Sequence, residues 1–212
     1  MWGICFDVSV LGGALCQNVV EYETINDGDT ALIINPVKDI EIPIEKILVL
    51  DKPPEFVYGD LAIPVAHSEL VGKIEKIIWH FKKETCGYYI SVNGRKKKTR
   101  YYADDLKKLE ITKLESLFQE LDNIERYNIY DYNIDVIFEL SDGSCWSATF
   151  FTYENLLSLR KRYQETGECL AGKYFYADKP IFISKIDKEL IKDVIKDILY
   201  KGGTDAFTKL EA

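Results

Sequence analysis

Chemistry in a chain of this size rests on a few nucleophiles, imidazoles and carboxylates, and here each of them is missing its usual companion. Cys145 lies in Ser141-Asp142-Gly143-Ser144-Cys145-Trp146-Ser147. A thiol becomes a nucleophile when a base or a positive field lowers its pKa, and the local sequence supplies neither. Its place in a hairpin strand after Asp-Gly predicts a packing role. His67 and His80 are the only histidines. Neither has a second His or a Cys at helical ligand spacing, so no metal centre is expected. Trp79-His80-Phe81 could line a pocket, but in an alternating strand such a triplet reads as packing. Loops of the G-x-x-x-x-G-K-[ST], G-x-G-x-x-G and G-x-S-x-G types are absent, which removes the common phosphate cradles and the nucleophile elbow. No catalytic residue and no cofactor is expected.

The acids Glu115, Glu120, Asp122, Glu125, Asp131 and Asp135 gather around Tyr127-Asn128-Ile129-Tyr130-Asp131-Tyr132. Two carboxylates can cleave a glycosidic bond when apolar surroundings drive their pKa values apart; these lie in polar contexts that leave them ionised together. Docking suits them better, since carboxylates steer a basic partner and tyrosine supplies contact area at low entropic cost. Glu120, Asp122, Glu125, Tyr130, Asp131 and Tyr132 are therefore the expected partner-binding residues.

A second surface has the opposite sign. Asn93-Gly94 is the preferred two-residue turn of a hairpin between Tyr88–Val92 and Lys96–Tyr102. That register puts Val92, Ile90, Tyr88, Thr99 and Tyr101 on a core face, and Ser91, Tyr89, Lys96, Lys98 and Arg100 on a wet, basic one. Tyr89, Lys96, Lys98 and Arg100 could hold nucleic acid, cations meeting phosphates and rings stacking on bases. The plainer reading is a charged face that keeps an exposed strand soluble.

The elements that must position these residues fit a globular chain of 212 residues, 47% hydrophobic and 29% charged, long enough for one large domain or two small ones. The net charge is -8 and the pI about 5.0, which disfavours general nucleic-acid binding. Charge is segregated: residues 1–60 carry 3 basic and 11 acidic side chains, residues 61–110 carry 11 and 6, and residues 111–142 carry 2 and 8. The apolar beginning contains Asp7 and has no Lys or Arg before Lys38, unlike a secretory leader or a bilayer span. Trp2 to Val20 is read as strand-forming core, and a cytoplasmic location with no membrane contact is expected. Cys5, Cys16, Cys86, Cys145 and Cys169 are odd in number and widely spaced, as befits free thiols in a reducing compartment.

The first half reads as short strands, Ala31–Ile34, Ile40–Ile44, Ile47–Leu50 and Gly72–Phe81, broken by Asn35-Pro36, Pro43 and Pro53-Pro54. Gly59-Asp60-Leu61-Ala62-Ile63-Pro64 echoes Gly28-Asp29-Thr30-Ala31-Leu32-Ile33, a hint of two related small-barrel units. A helix is expected from Thr112, with a Thr112/Glu115 capping box and a stripe of Leu114, Leu117, Phe118, Leu121 and Ile124. There follow a strand (Ile134–Leu140), a turn (Asp142-Gly143), a strand (Cys145–Thr152), a helix (Tyr153–Thr166), a strand (Tyr174–Ser184), a helix from Lys188 capped by Asp187, and a last strand (Ala206–Leu210). This mixture predicts an α+β fold, with a β-rich small-barrel domain over residues 1–110 and an α+β layer domain over 111–212.

The stretches GDLAIPVAHSELVGKIEKIIWHFK, VNGRKKKTRYYADDL and LSDGSCWSATFFTYENLLSLRKRYQETGECLAGKYF resemble bacterial immunity-type proteins of polymorphic toxin systems, and Gly59 to Leu109 is similar to SH3-like small barrels. The first resemblance implies a protein that neutralises a partner toxin by covering its working surface. Together with the residues, it leads to the expectation of a non-enzymatic protein-binding module with a specific protein partner. A nucleic-acid-binding adaptor using hairpin residues 95–100 is the alternative.

Overall fold

Ile, Val and Tyr at alternating positions give each short strand of the first half one face to bury. The computed structural model describes residues 1–6, 17–116 and 128–211 and separates into two compact units, Met1–Lys108 and Leu109–Ala212. The sequence between Trp2 and Val20 falls partly outside the described residues.

The first unit is a ten-stranded antiparallel sheet, curled into a half-barrel. Its strands are β1 (Trp2–Cys5), β2 (Asn18–Ile25), β3 (Thr30–Asn35), β4 (Ile40–Pro43), β5 (Ile47–Val49), β6 (Leu61–Pro64), β7 (Gly72–His80), β8 (Thr85–Val92), β9 (Arg95–Lys96) and β10 (Leu106–Leu109). The curl centres on β2, which pairs with β1 over Asn18–Glu21, with β3 over Glu21–Ile25 and with β7 at Asn18. The stretches starting at Gly28 and Gly59 feed β3 and β6 of this one sheet, not two separate barrels. Two apolar clusters fill its hollow: one around Ile4, Phe56, Ile74, Ile77, Tyr88 and Ile90, the other around Cys5, Tyr22, Ile33 and Ile42.

Asn93 (φ 50°) and Gly94 (φ 75°) make the expected turn, and Val92↔Arg95 and Ser91↔Lys96 pair in the expected register. Beyond Lys97, whose amide donates to the Ile90 carbonyl at 2.9 Å, the register slips. Tyr88 pairs with Tyr101, two positions further on than continuous pairing requires. The expected strand to Tyr102 thus shrinks to two residues and Thr99 lies exposed. The slip brings the Tyr101 ring against the core cluster, where its burial offsets the ladder lost through Lys98–Arg100. Ser91, expected on the wet face, is buried and donates to Glu75 Oε1 at 2.9 Å.

The second unit packs helices on a mixed sheet of β11 (Ile111–Ser116), β12 (Asn133–Leu140), β13 (Cys145–Thr152), β14 (Pro180–Ile183) and β15 (Thr208–Leu210). The order is β11-β12-β13-β14; β14 runs parallel to β13, and β15 pairs antiparallel to it. The expected helix at Thr112 is corrected to the edge strand β11. Leu114 and Ser116 pair with Phe138 and Val136, the Thr112 hydroxyl donates to the Glu139 carbonyl instead of capping a helix, and Lys113 bridges Glu115 and Glu139 at 3.1 and 3.8 Å. Cross-strand pairing and this ion pair satisfy the segment better than an isolated turn of helix. The rest of that expected helix, Leu117 to Ile124, lies outside the described residues.

Helix α1 (Tyr153–Thr166) is followed by α2 (Glu168–Gly172) and, after β14, by α3 (Lys188–Tyr200). The strand expected over Tyr174–Ser184 is confined to Pro180–Ile183. α3 buries Ile191, Ile195 and Leu199, a stripe at four-residue spacing, and Asp187 Oδ1 accepts the Leu190 amide at 2.9 Å. That amide holds the Asp187 carboxyl below its ordinary range. Phe138 and Phe207, both buried, meet edge-on at 5.1 Å and tie the segment leading into β15 to β12. Phe138→Ala is expected to lower stability by about 3–5 kcal/mol, read as a reduced urea midpoint at unchanged slope.

Candidate functional site

Of the expected partner-binding residues, Glu120, Asp122 and Glu125 lie outside the described residues. Tyr130 is 56% exposed, as docking requires. Asp131 is occupied: Oδ1 accepts Asn155 Nδ2 at 3.1 Å and Oδ2 accepts the Ser158 hydroxyl at 2.7 Å. Its carboxylate fastens the loop before β12 to the first turn of α1. Tyr132 is half-buried, its amide donating to the Thr152 hydroxyl and its carbonyl accepting from the same side chain, both at 3.1 Å. Asp131 and Tyr132 anchor α1, and Tyr130 between Ile129 and Asp131 is left open to solvent.

In the first unit, Lys96, Lys98 and Arg100 are exposed and Tyr89 is half-buried. Arg100 does not wave freely. Its stem crosses Gly87, where an added Cβ would come within 3.0 Å of Arg100 Cδ, and its Nε donates to the Tyr89 hydroxyl at 3.3 Å. The Lys83 ammonium sits 3.9 Å above the Tyr102 ring, and His80 meets that ring edge-on at 6.1 Å. Sequence reasoning placed Tyr89 with Arg100 but missed Lys83 and His80, which arrive from β7 and the turn after it.

Cys145 is half-buried and lines an open groove with Asp142, Lys209 and Glu211. Asp142 Oδ1 is taken by the amide and hydroxyl of Ser144 at 2.9 and 2.6 Å, and both histidines lie in the other unit. Cys145 therefore has no imidazole within its own unit. Asp135 accepts the Thr149 hydroxyl at 2.6 Å. Among the described residues no three of His, Cys, Asp and Glu converge to hold a metal ion.

The surface that sequence reasoning missed begins at α1. No residue of this helix is fully buried, and Tyr153 and Leu157 are each 60% exposed. At Gly167 (φ 82°) the right-handed helix ends, and Cys169, Leu170 and Ala171 follow with φ of 49–57° and ψ of 44–48°. They form a turn of the opposite hand, closed by Lys173 N donating to the Cys169 carbonyl at 3.0 Å. Each such non-glycine residue costs roughly 1–2 kcal/mol, and the strain leaves Leu170 70% exposed. Gly172 (φ 74°) presses against α1 so closely that a Cβ would lie 2.6 Å from the Arg160 carbonyl oxygen.

The apolar surface continues from there. Tyr153 stacks on Phe182, Phe182 meets Phe151, and Phe151 meets Phe175 edge-on at 5.1 Å. Phe175, Tyr174, Leu156 and Leu157 line a groove of about 670 Å³ together with Arg160 and Lys173. Tyr174 and Tyr176 are 54% and 81% exposed. Large apolar side chains left in solvent near a groove are the composition from which interaction sites are built, and exposed tyrosines are typical of it. The signal legible in sequence was the run Gly167…Gly172-Lys173-Tyr174-Phe175-Tyr176 ahead of Pro180, three aromatics between backbone breakers.

A second concavity, about 580 Å³, lies in the first unit between β5 and β8, lined by Ile4, Leu48–Glu55, Trp79, Cys86 and Tyr88. Burial pushes the Cys86 thiol up to about 11, a rise that a hydrogen bond with Tyr88 partly offsets. Burial likewise raises the Tyr58 and Tyr88 hydroxyls above the phenolic range.

No protein-family model, no curated protein and no solved structure matches this chain.

Two outcomes follow from this geometry. Ala171→Gly is expected to be neutral or to stabilise by up to about 1 kcal/mol, since glycine accepts the left-handed backbone. Gly172→Ala should instead destabilise by about 1–3 kcal/mol, both read by urea unfolding. Cys86 favours the protonated fold: its contribution is whole below its ordinary pKa of 9.0 and declines as pH rises through about 11, because the unfolded chain ionises first. Stability of the first unit should therefore fall over that window, and Cys86→Ala should flatten the fall, followed by circular dichroism at a series of alkaline pH values.

Proposed function

We propose that this chain is a non-enzymatic protein-binding module that works in the cytoplasm as an immunity protein, neutralising a partner toxin by covering its working surface. One observation carries the reading: the second unit leaves large apolar side chains in solvent, with Tyr153 of α1 stacked on Phe182, Leu157 and Tyr174 lining one groove, and Leu170 and Tyr176 exposed as well. Burying these side chains against another protein would release ordered water and supply the centre of an interface, with polar residues as its rim. Tyr130 would add contact area, while the acids Glu120, Asp122 and Glu125 would act earlier by steering the encounter, so added salt would slow association more than it speeds dissociation. Consistent with a role away from the bilayer, no helix among the described residues is long and apolar enough to cross one.

A second reading, a nucleic-acid adaptor, draws on the fixed Arg100 beside Tyr89 and on Lys83 over Tyr102. The acidic net charge of -8 opposes it.

The two readings separate in one set of measurements. Affinity capture from the native host at low salt should recover a single stoichiometric protein, and Leu170→Asp or Tyr174→Asp should weaken its binding tenfold or more. A capture that recovers no protein, or one that these variants leave unchanged, overturns the reading. A gel shift with RNA or DNA that Lys98→Glu abolishes favours the adaptor instead.

A further inference from the structure

Two of the charged side chains around the left-handed turn answer each other. Arg162 pairs with Glu168 at 3.8 Å and lies over the Tyr163 ring at 5.2 Å. Arg160 and Lys173 differ. Both line the 670 Å³ groove, both are exposed, and among the described residues neither side chain has an ion pair or hydrogen bond. No carboxylate lines the groove with them; the remaining lining is Leu156, Leu157, Tyr163, Gln164 and Ala171 to Phe175.

An apolar floor beside two unanswered cations selects for a ligand that brings both properties at once. A large aliphatic or aromatic side chain would fill the floor, and a carboxylate one or two residues away would meet Arg160 and Lys173, with the guanidinium favouring a two-point contact. The volume is within the range of sites that bind discrete groups. Leu170 and Tyr176, one residue before and one after the groove-lining stretch Ala171–Phe175, are 70% and 81% exposed, and with the protein-binding reading this makes the occupant a chain segment. The strained turn has a purpose in this arrangement, since it sets Gly172 against the α1 backbone and so brings Lys173 and Tyr174 opposite Arg160. Strain of that kind persists where the surroundings over-determine it and clusters at binding sites.

The geometry points to this groove as the docking site for an acidic, apolar peptide segment of the partner protein, Arg160 and Lys173 selecting the acid and Leu157, Tyr174 and Phe175 the apolar side chain. The inference rests on the protein-binding reading and adds to it the chemistry of what is bound.

The test is a phage-displayed library of random 12-residue peptides selected on the intact chain, with the best peptide then measured by fluorescence polarisation. Selected peptides should place Asp or Glu within two residues of Phe, Leu or Trp. Binding should fall tenfold or more in Arg160→Glu and in Lys173→Glu, and return when the peptide acid is changed to Lys. Because both residues are exposed, the variants should melt with the native chain by circular dichroism. Enrichment of no peptide, enrichment of basic peptides, or binding to the two variants as tight as to the native chain would each overturn the proposal. If Arg160→Glu and Lys173→Glu leave the captured host protein bound while Leu170→Asp releases it, the groove proposal fails and the protein-binding reading stands; if no host protein is captured at all, that reading fails by itself.

Discussion

The second unit depends on how α1 is held. Helices in proteins draw most of their stability from burying one face, yet no residue of α1 is fully buried. Its ends do the holding. At the start, the Thr152 hydroxyl accepts the Asn155 amide at 3.2 Å and Asp131 ties Asn155 and Ser158 to the preceding loop. At the finish, Gly167 stops the helix and the left-handed turn folds back until Gly172 touches the backbone at Arg160. A helix fixed in this way can keep its apolar side chains in solvent without losing its position, a condition that a docking surface requires and a core helix never meets. α3 is the contrast within the same unit: it buries Ile191, Ile195 and Leu199 and is capped by Asp187.

The first unit resolves a similar competition in its hairpin. Beyond Lys97 the continuous ladder breaks and pairing resumes two positions further on, a shift that keeps Tyr101 on the core face. The chain gives up the ladder and keeps the aromatic burial, pairing Tyr88 with Tyr101. Of the three residues thrown out of the ladder, Lys98 and Arg100 are charged and Thr99 is polar, side chains for which solvent is no penalty. A side effect is that Arg100 lies back over Gly87 toward Tyr89, which converts part of a soluble edge into a fixed cationic and aromatic cluster with Lys83 and Tyr102.

Local rules made much of this fold legible. The Asn93-Gly94 and Asp142-Gly143 turns, the Tyr153–Thr166 helix, the Asp187 cap and the stripe on α3 are all set by interactions within a few residues, and their signatures are correspondingly local. What failed to show was decided at a distance. Thr112 to Ser116 carries a helix-start pattern, but the free edge of β12 claims it as a strand through pairing with residues more than twenty positions away. Asp131 looked like a steering charge because nothing near it in sequence announces Asn155 and Ser158 as its partners. The left-handed turn, unlike the aromatic run that follows it, was invisible for a different reason: Cys169, Leu170 and Ala171 have no preference for a left-handed backbone, so their sequence does not announce it.

Charge has to be read on the same two scales. The chain as a whole is acidic, yet the groove of the second unit offers Arg160 and Lys173 with no acid beside them. Net charge governs forces felt beyond the screening distance of about 8–10 Å at physiological salt, and so bears on which molecules approach and how fast. Within that distance the nearest unpaired groups decide which contact persists. An acidic surface that would draw in a basic partner and a cationic groove that would grip an acidic segment of it are therefore compatible, since the first would act on encounter and the second on residence. Separating the two roles lets specificity rest on a few side chains whose geometry is fixed by the turn at Cys169–Gly172, while the remaining surface needs only the right sign.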